Sequence, residues 1–344
     1  MSDTNGVLHV GIDLGTSHSA ISASNGARHV VDSYVGWPMD MVARKVLKRP
    51  VLIGREALEN RTMLDLRRPL ERGLIKEGSE KDGAAVHELL QHLLTLVGVK
   101  PNDPERPQVR AVVGVPAEAL RVNKQHLRQA MKGTADRLMI VSEPFAVAYG
   151  LEALLHTLVI DIGAGTTDFC VMNGHYPTDE DQRTLELAGD AVDFRLAVLL
   201  RECHPDAQFS IHMVREWKEQ WSFVGAPTSR AMVTMPVAGK PMRLDITNEI
   251  RAACESLVPP VSETMLELLA RVEPEFQEKV RHNITLAGGG SQIFGLGEAL
   301  EQALVEVGGG RVQMVSDVVF AGADGGLALA LDAADADWEQ LVME

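Results

Sequence analysis

The sequence is poor in cysteine, in aromatic residues and in long apolar runs. Its three cysteines, Cys170, Cys203 and Cys254, lie far apart and form no C-x-x-C pair, which excludes a disulfide framework and a cysteine zinc site. No window of about 18 residues is free of charged side chains, so we expect no transmembrane span. The first residues lack the basic and apolar segments of a secretory signal. We therefore expect a cytoplasmic protein.

Basic residues are also scarce. The chain has 33 lysines and arginines against 48 acidic residues, a formal net charge of −15. Because nucleic acids and anionic membranes are themselves negative, we predict no nucleic-acid partner and no direct insertion into a membrane. The length of 344 residues, 45% of them hydrophobic, is enough for about two domains with hydrophobic cores of their own.

The chain does contain an internal repeat. The segment GIDLGTS at 11–17 returns in altered form as DIGAGTTD at 161–168, and each copy follows an apolar, β-like run. Asn25-Gly26 and Asn173-Gly174 follow the two copies at the same spacing, and Asn-Gly pairs are typical of hairpin turns because both residues tolerate positive φ. Each copy therefore predicts a strand, a glycine-rich turn, a strand, a tight turn and a third strand. Two such copies predict two similar α/β domains facing each other across a cleft.

Periodicity and helix-ending residues predict the remaining elements. Apolar runs at 109–115 and 138–142 predict strands on either side of a helix opened by Pro116. Apolar residues at helical spacing over 86–97 predict a helix that ends at Gly98. A helix over 261–282 is expected to break at Pro274, and a helix over 317–333 is expected to end the chain. Strands that alternate with such helices favour mainly parallel sheets.

Both repeated turns have the composition of a phosphate-binding loop. Glycine lets the backbone approach a ligand closely, so that successive N–H groups can point at a phosphate. Asp13 and Asp161 end the two strands, where a carboxylate can hold Mg²⁺ through its bound waters. We predict two sets of phosphate-binding residues, Gly15, Thr16 and Ser17 in the first loop and Gly163, Ala164, Gly165 and Thr166 in the second.

A third glycine-rich segment follows an apolar run at 284–287. Gly288, Gly289, Gly290 and Ser291 would let a flat base or ribose lie against the backbone, whereas a flexible turn is the alternative that Gly308-Gly309-Gly310 illustrates elsewhere in the chain. The sequence has no G-x-x-x-x-G-K-[ST] segment and no G-x-G-x-x-G behind a strand. Both the P-loop and the Rossmann interpretations are therefore excluded.

Taken together, the two phosphate loops, the GGGS segment and Ser-Glu-Pro-Phe-Ala at 142–146 resemble the actin, sugar-kinase and heat-shock-chaperone ATPase superfamily. RPLERGLI at 68–75 resembles the R-P-L-x-x-G-x-I segment of bacterial actins. ARK at 43–45 and KEQWSFVG at 218–225 are similar to the MamK family, the actin-like filament proteins of magnetosome chains. The resemblance implies an actin-like fold that polymerises with ATP and Mg²⁺ into cytoskeletal filaments, along the magnetosome chain, with hydrolysis promoting disassembly. It implies as partners other copies of the chain and magnetosome-associated proteins.

The resemblance also implies residue roles and domain limits. Glu143 would position the attacking water, Thr166 would help to hold it, and Asp13 and Asp161 would arrange Mg²⁺ and its waters. Lys218 and Glu219 would contact the sugar or the base, although their spacing departs from the usual E-x-x-K. The first domain would span 1–153, with 322–344 packing back on it and a smaller subdomain at 33–75, and the second would span 154–321, with a smaller subdomain at about 180–250.

A basic region stands out in this acidic chain: Arg44, Lys45, Lys48, Arg49, Arg67, Arg68 and Arg72. It is either a solvated surface or a contact with an acidic face of the next subunit, since head-to-tail association that does not close generates filaments.

Three other functions share the superfamily. A small-molecule kinase would need a carboxylate base beside its acceptor hydroxyl, and a plasmid-partitioning actin would differ in its partners alone. A chaperone ATPase would carry a peptide-binding domain after its ATPase, and the short stretch after Gly326 does not fit one.

Overall fold

A computed structural model describes residues 6–71, 74–75, 80–100, 103–117 and 120–341. The strands are β1 (Val7–Leu14), β2 (His18–Ala23), β3 (Arg28–Asp32), β4 (Val35–Pro38), β5 (Leu52–Ile53), β6 (Leu64–Arg67), β7 (Leu70–Glu71), β8 (Leu74–Ile75), β9 (Gln108–Val115), β10 (Arg137–Ser142), β11 (Leu155–Ile162), β12 (Thr167–Asn173), β13 (Gln182–Leu185), β14 (Met232–Val237), β15 (Lys240–Asp245), β16 (Ile284–Ala287), β17 (Val312–Met314) and β18 (Glu339–Gln340). The helices are α1 (Met41–Leu47), α2 (Arg55–Glu59), α3 (Glu80–Leu96), α4 (Leu120–Met131), α5 (Glu143–Gly150), α6 (Gly189–Cys203), α7 (Ile211–Trp221), α8 (Thr247–Glu255), α9 (Val258–Arg271), α10 (Pro274–Arg281), α11 (Leu296–Leu304) and α12 (Ala321–Asp332).

Two sheets repeat the same topology. The first has the order β18-β10-β9-β1-β2-β3, and the second has the order β13-β12-β11-β16-β17. In each, the strand that leads into a predicted phosphate loop pairs antiparallel with the strand after the loop and parallel with a later strand. The internal repeat is therefore confirmed as a repeat of structure. It places both loops at the end of a central strand of a sheet.

Helices α5 and α12 pack between the two sheets. Their buried side chains, among them Phe145 and Leu329, share one apolar cluster with Val112 of the first sheet and with Val159 of the second. Helices α3 and α4 cover the outer face of the first sheet, and helices including α6, α7 and α9 cover that of the second. The two helices thus connect the cores of the two sheets, and α5 begins at the cleft with Glu143.

A small three-stranded sheet with the order β5-β4-β6 extends from the first unit. Tyr34, Leu52, Ala57 and Leu64 form its apolar core, separate from those of the two large sheets. The residues that build it fall within the predicted subdomain at 33–75. Among the described residues, no helix is both long enough and apolar enough to cross a membrane.

Most of the predicted elements are confirmed, including the helix that ends before Gly98 and the break at Pro274. The prediction of a tight turn at Asn173-Gly174 is wrong. Asn25-Gly26 joins β2 to β3 directly, with Gly26 at φ +88°, whereas residues 174–181 form a longer loop before β13. Asp181 organises that loop, because its carboxylate accepts hydrogen bonds from Asn173 Nδ2 at 3.1 Å and from the Thr178 backbone at 2.8 Å.

Two helix limits also differ from the prediction. α4 is described from Leu120, so Pro116 precedes the helix and lines the cleft instead. α12 does not end the chain, because β18 follows it and pairs antiparallel with β10. An ion pair between Arg128 and Glu339 and the packing of Trp338 beside His9 hold this last segment against the first sheet.

Candidate nucleotide site

The predicted site residues meet at one cleft of about 600 Å³ between the two sheets. Both phosphate loops, the third glycine-rich loop and the start of α5 line it. Fifteen of the sixteen predicted residues lie in its wall: Asp13, Gly15, Thr16, Ser17, Glu143, Asp161, Gly163, Ala164, Gly165, Thr166, Lys218, Glu219, Gly288, Gly289 and Gly290. The remaining one, Ser291, is buried behind the loop, where its hydroxyl donates to the Gly288 carbonyl at 2.6 Å. Ser291 therefore closes a turn and does not face the cleft.

The first loop is a turn that has no room for a side chain at its centre. A Cβ on Gly15 would lie 2.4 Å from the carbonyl oxygen of His18. Ser33, between β3 and β4, secures the same turn, since its hydroxyl donates to the Gly15 carbonyl at 2.7 Å. Asp13 lies opposite Ala20 in the hairpin, at the end of β1, so its carboxylate faces the cleft.

The second loop repeats this arrangement. The Gly163 amide donates to the Thr166 carbonyl at 2.9 Å, which closes the turn between β11 and β12. The third loop packs directly on it: a Cβ on Gly288, which has φ +72°, would lie 2.3 Å from Asp161 Oδ1, and one on Gly290 would lie 2.4 Å from Ile162 Cγ2. Glycine at these two positions thus lets the second and third loops share one wall of the cleft.

Three carboxylates crowd the floor of the cleft. Burial raises the pKa of Asp13 from its ordinary 3.8 to about 6. Burial, and then the neighbouring charges of Asp13 and Asp168, hold the pKa of Asp161 well above its ordinary value, and the pKa of Glu143 is raised in the same way. Within the described residues, none of these three side chains forms a hydrogen bond or an ion pair. These three carboxyl groups therefore have no cationic partner among the described residues.

A hydrated Mg²⁺ fits this set of donors. Magnesium prefers carboxylate and phosphate oxygens and gives up its waters reluctantly. In the part of the chain that the structure describes, no three His, Cys, Asp or Glu side chains are grouped closely enough to hold an ion directly. Asp13 and Asp161, on the two facing loops, are thus suited to hold such an ion through its waters.

Comparison with known proteins identifies the family. The sequence profile of the family described as MreB/Mbl protein matches residues 7–332. The chain belongs to this family of actin-like proteins. It is 42% identical to the actin-like protein MamK of Paramagnetospirillum magneticum strain AMB-1, over 97% of this chain and 95% of that protein. It is also 42% identical to the actin-like protein MamK of Magnetospirillum gryphiswaldense strain MSR-1, over 97% of this chain and 92% of that protein.

Solved structures confirm the predicted actin-like fold. A MamK double helical filament, 42% identical, matches with a TM-score of 0.91 over 95% of this chain and 100% of that one. A non-polymerising MamK mutant bound to AMPPNP, also 42% identical, matches with a TM-score of 0.72 over 96% of this chain and 100% of that one. The arrangement of this actin-like chain is thus more similar to the filament subunit.

The cleft of this MreB/Mbl protein also contains residues that the sequence analysis missed. Arg215, Gly189, Gln292 and Ile293 line it. Gly189 begins α6, and its amide donates to the Gly163 carbonyl at 3.1 Å, so α6 starts directly behind the second phosphate loop. Helical spacing could have indicated Arg215, because it lies three residues before Lys218 and therefore on the same side of α7. The residues around Gly189 contain no motif that predicts its position in the cleft wall.

The ammonium group of Lys218 is bound by other groups of the protein, although its side chain borders the cleft. Its ammonium group forms an ion pair with Asp193 Oδ1 at 2.8 Å and donates a hydrogen bond to the Gly189 carbonyl at 3.0 Å, and only 13% of the side chain is exposed. Asp193 itself is 1% exposed. The lysine thus neutralises a buried carboxylate at the start of α6 while it borders the cleft.

Proposed function

We propose that this protein binds and hydrolyses ATP with Mg²⁺ in the cleft and that it polymerises into filaments. One observation carries the proposal: two glycine loops from equivalent hairpins border a single cleft, with unneutralised carboxylates on its floor. The MamK relatives support it, since one of their structures is a double helical filament and another contains AMPPNP, an ATP analogue.

In this proposal each loop has a separate task. The amides and hydroxyls of Gly15, Thr16 and Ser17 bind phosphate oxygens from one side, and those of the second loop, 163–166, bind them from the other. Gly288, Gly289 and Gly290 support the base or ribose, and Lys218 and Glu219 contact the sugar or the base.

Glu143 has the chemistry of a water-positioning residue. It is the first residue of α5, and its carboxylate reaches the cleft floor beside Asp13 and Asp161. A raised pKa makes Glu143 a better proton acceptor than an exposed glutamate, and Thr166 can hold the same water. When bound, Mg²⁺ would supply charge neutralisation for the phosphates, as is general in phosphoryl transfer.

For the domain organisation, we propose the limits that the resemblance implies. The first domain covers 1–153 and includes the smaller subdomain at 33–75, while the segment 322–344 returns to it. The second covers 154–321 with its smaller subdomain at about 180–250. The packing of α12 against β1 and β9 supports the return of the last segment to the first domain.

The filament contact is proposed to include α1. Met39, Met41, Val42 and Val46 are 58%, 74%, 66% and 60% exposed, and basic side chains stand among them. Of the basic region, Arg44, Lys45 and Lys48 are exposed. Three others bind acidic groups of this chain, in the pairs Arg49–Glu56, Arg67–Asp65 and Arg68–Asp190, and Arg72 lies outside the described residues. A second, acidic copy of the chain is the partner that such a surface fits.

In the cell, we propose a cytoskeletal filament in the cytoplasm that organises magnetosome chains, with magnetosome-associated proteins as further partners. The MamK names of the relatives support this placement.

Sedimentation tests the proposal. We expect the purified protein to pellet as polymer with Mg-ATP and to stay in the supernatant with EDTA, and we expect negative-stain microscopy to show filaments. Parallel samples with Mg-GTP test the preference for ATP. Monomer alone under all salt and nucleotide conditions would contradict polymerisation, and polymer without phosphate release would contradict hydrolysis.

A further inference from the structure

A set of four polar side chains connects the two sides of the cleft and takes no part in the chemistry proposed above. Arg68 follows β6 of the small three-stranded sheet, and Tyr34 lies in the core of that sheet. Asp190 and Arg215 lie on α6 and α7, which pack on the second large sheet. We call these four residues the clasp.

Arg68 binds both sides of the cleft with one guanidinium group. Its Nε donates to the carbonyl oxygen of Thr16, in the first phosphate loop, at 2.7 Å. Its two terminal nitrogens donate to the two carboxylate oxygens of Asp190 at 2.6 and 3.1 Å. Such two-point pairing of arginine with a carboxylate is strong and directional, and lysine cannot reproduce it.

Asp190 transmits this contact to the second phosphate loop. Its backbone amide donates to the Ala164 carbonyl at 2.7 Å, and the residue before it, Gly189, is bonded to Gly163. Arg68 thus connects Thr16 of one loop, through Asp190, to Ala164 of the other. Along this path the two loops are separated by two side chains, those of Arg68 and Asp190, and by one backbone hydrogen bond.

Arg215 also connects the two sides of the cleft, but it reaches from the second unit to the small sheet. From α7 it donates to the Tyr34 hydroxyl at 2.8 Å, to Asp190 Oδ1 at 2.9 Å and to Asp193 Oδ2 at 3.1 Å. Both arginines therefore share Asp190. Asp190 and Asp193 stand three residues apart on α6, as Arg215 and Lys218 do on α7, so the two helices face each other with opposite charge.

We propose that the clasp holds the two halves of the molecule closed over the nucleotide and that Arg68 is a positioning residue, which keeps the two phosphate loops at their working distance. This inference rests on the proposed nucleotide function. Hydrogen bonds of 2.6 to 3.1 Å are lost once the cleft opens by about 1 Å, so the clasp forms only in the closed arrangement. That arrangement resembles the MamK filament subunit, and closure should therefore favour polymerisation.

The first experiment measures closure directly. Spin labels are placed at the exposed positions Thr62, beside the small sheet, and Glu202, on α6, in a Cys203→Ser background in which the two remaining cysteines are buried. With saturating Mg-ATP, at concentrations below assembly, the parent protein should give a short, narrow distance distribution. Arg68→Ala should give a longer and broader one. Equal distributions in both proteins would overturn the proposal.

Arg106 provides a matched control. It forms the same two-point pair with Asp136, at 3.0 and 3.0 Å, with 17% and 33% of the side chains exposed against 22% and 33% for Arg68 and Asp190. That pair lies within the first unit and does not cross the cleft. Arg106→Ala should therefore keep the parent distance distribution, whereas broadening equal to that of Arg68→Ala would show a general loss of structure and overturn the proposal.

The second experiment is a double-mutant cycle on the ATP dissociation constant and on the critical concentration for assembly. Because hydrogen bonds to charged groups are lost, Arg68→Ala and Asp190→Asn should each raise both quantities about tenfold. The double variant should be little worse than either single one, and Arg68→Lys should recover only part of the loss. Additive effects, or full recovery by lysine, would contradict the clasp. If the parent protein binds no ATP, the proposed function fails, whereas the clasp fails separately if the parent binds ATP and the variants match it.

Discussion

At the scale of the residue, the cleft brings together carboxylates that repel one another. Burial raises the pKa values of Asp13, Asp161 and Glu143, and the charge of Asp13 raises those of Asp161 and Glu143 further. Such an arrangement weakens the folded protein in the absence of a ligand and favours binding of a cation together with a phosphate group. The three residues are therefore better explained by ligand binding than by stability.

Replacement of Glu143 by glutamine tests its assignment. We expect Glu143→Gln to bind ATP as the parent does, because the amide has the same shape, and to release phosphate about a hundredfold more slowly, because the proton acceptor is lost. Filaments of the variant should persist longer after ATP is supplied. Phosphate release and pelleting over time measure both effects, with Glu105→Ala on an exposed loop as control. An unchanged rate of phosphate release would remove Glu143 from this role.

The raised pKa of Asp13 predicts a pH dependence. Its folded-state pKa of about 6 lies above its ordinary 3.8, so the folded protein binds this proton more tightly than the unfolded chain does. The resulting stabilisation is complete below pH 3.8 and is lost as the pH rises through 6. Between pH 5 and pH 7 we expect nucleotide-free parent protein to lose about 1 kcal/mol of unfolding free energy through this group. Asp13→Asn should lack that loss in urea denaturation, and equal pH profiles would contradict the prediction.

At the scale of the element, the crossing of α5 and α12 brings the two sheets together. Backbones approach so closely there that a Cβ on Gly325 would lie 1.8 Å from the carbonyl oxygen of Ala146. Gly150 at the end of α5 faces the same glycine, and its own Cβ would lie 2.7 Å from the Cα of Gly325. Small residues at this crossing therefore set how near the two halves can approach.

A pair of glycine substitutions isolates this effect. Gly325→Ala should lower the unfolding free energy by about 3 kcal/mol, since the added methyl group overlaps backbone atoms that cannot move away. Gly83→Ala, at an exposed position of α3 with no atom within 4 Å of the added Cβ, should instead raise it by about 0.5–1 kcal/mol, because alanine restricts the unfolded chain. Denaturant titration measures both, and equal effects would show that packing at the crossing does not matter.

At the scale of the whole molecule, the two large sheets, the small sheet and the clasp form a body whose two sides can close on a ligand. Helix α1, which packs on β4 of the small sheet, differs from the rest of this acidic chain because it exposes basic and apolar side chains together. In the filament contact proposed above, each subunit would bury this helix.

The double variant Met41→Ser, Val42→Ser tests the role of α1. Both side chains are largely exposed in the single chain, so their loss should change the unfolding free energy by less than about 0.5 kcal/mol. The critical concentration for assembly should rise at least about tenfold, since apolar area would no longer be buried between subunits. Leu331→Ser, which alters another exposed apolar residue, serves as control in the same pelleting assay. Normal assembly by the double variant would exclude α1 from the contact.

Sequence reasoning succeeded where chemistry is local. A glycine-rich turn after an aspartate at the end of a strand can be read directly, and its repetition predicted which loops would meet. Arg68 shows the limit: it was noted as part of a basic region, yet it binds Asp190, which is distant in the sequence. The prediction that Ser291 lines the cleft was wrong for a related reason, because a side chain next to three glycines can point away from the cleft as easily as into it.

The sequence by itself therefore determined the two hairpins, their glycine loops and the acidic residues at their ends, since those depend on backbone conformations that neighbouring residues impose. Tertiary structure alone decided that the loops face one cleft, that burial raises the pKa values of the three carboxylates, and that two arginines connect the two sides of the cleft. Those properties arise from the packing of two sheets around α5 and α12. Neither the burial of a charge nor its partner across a cleft is encoded in any short segment.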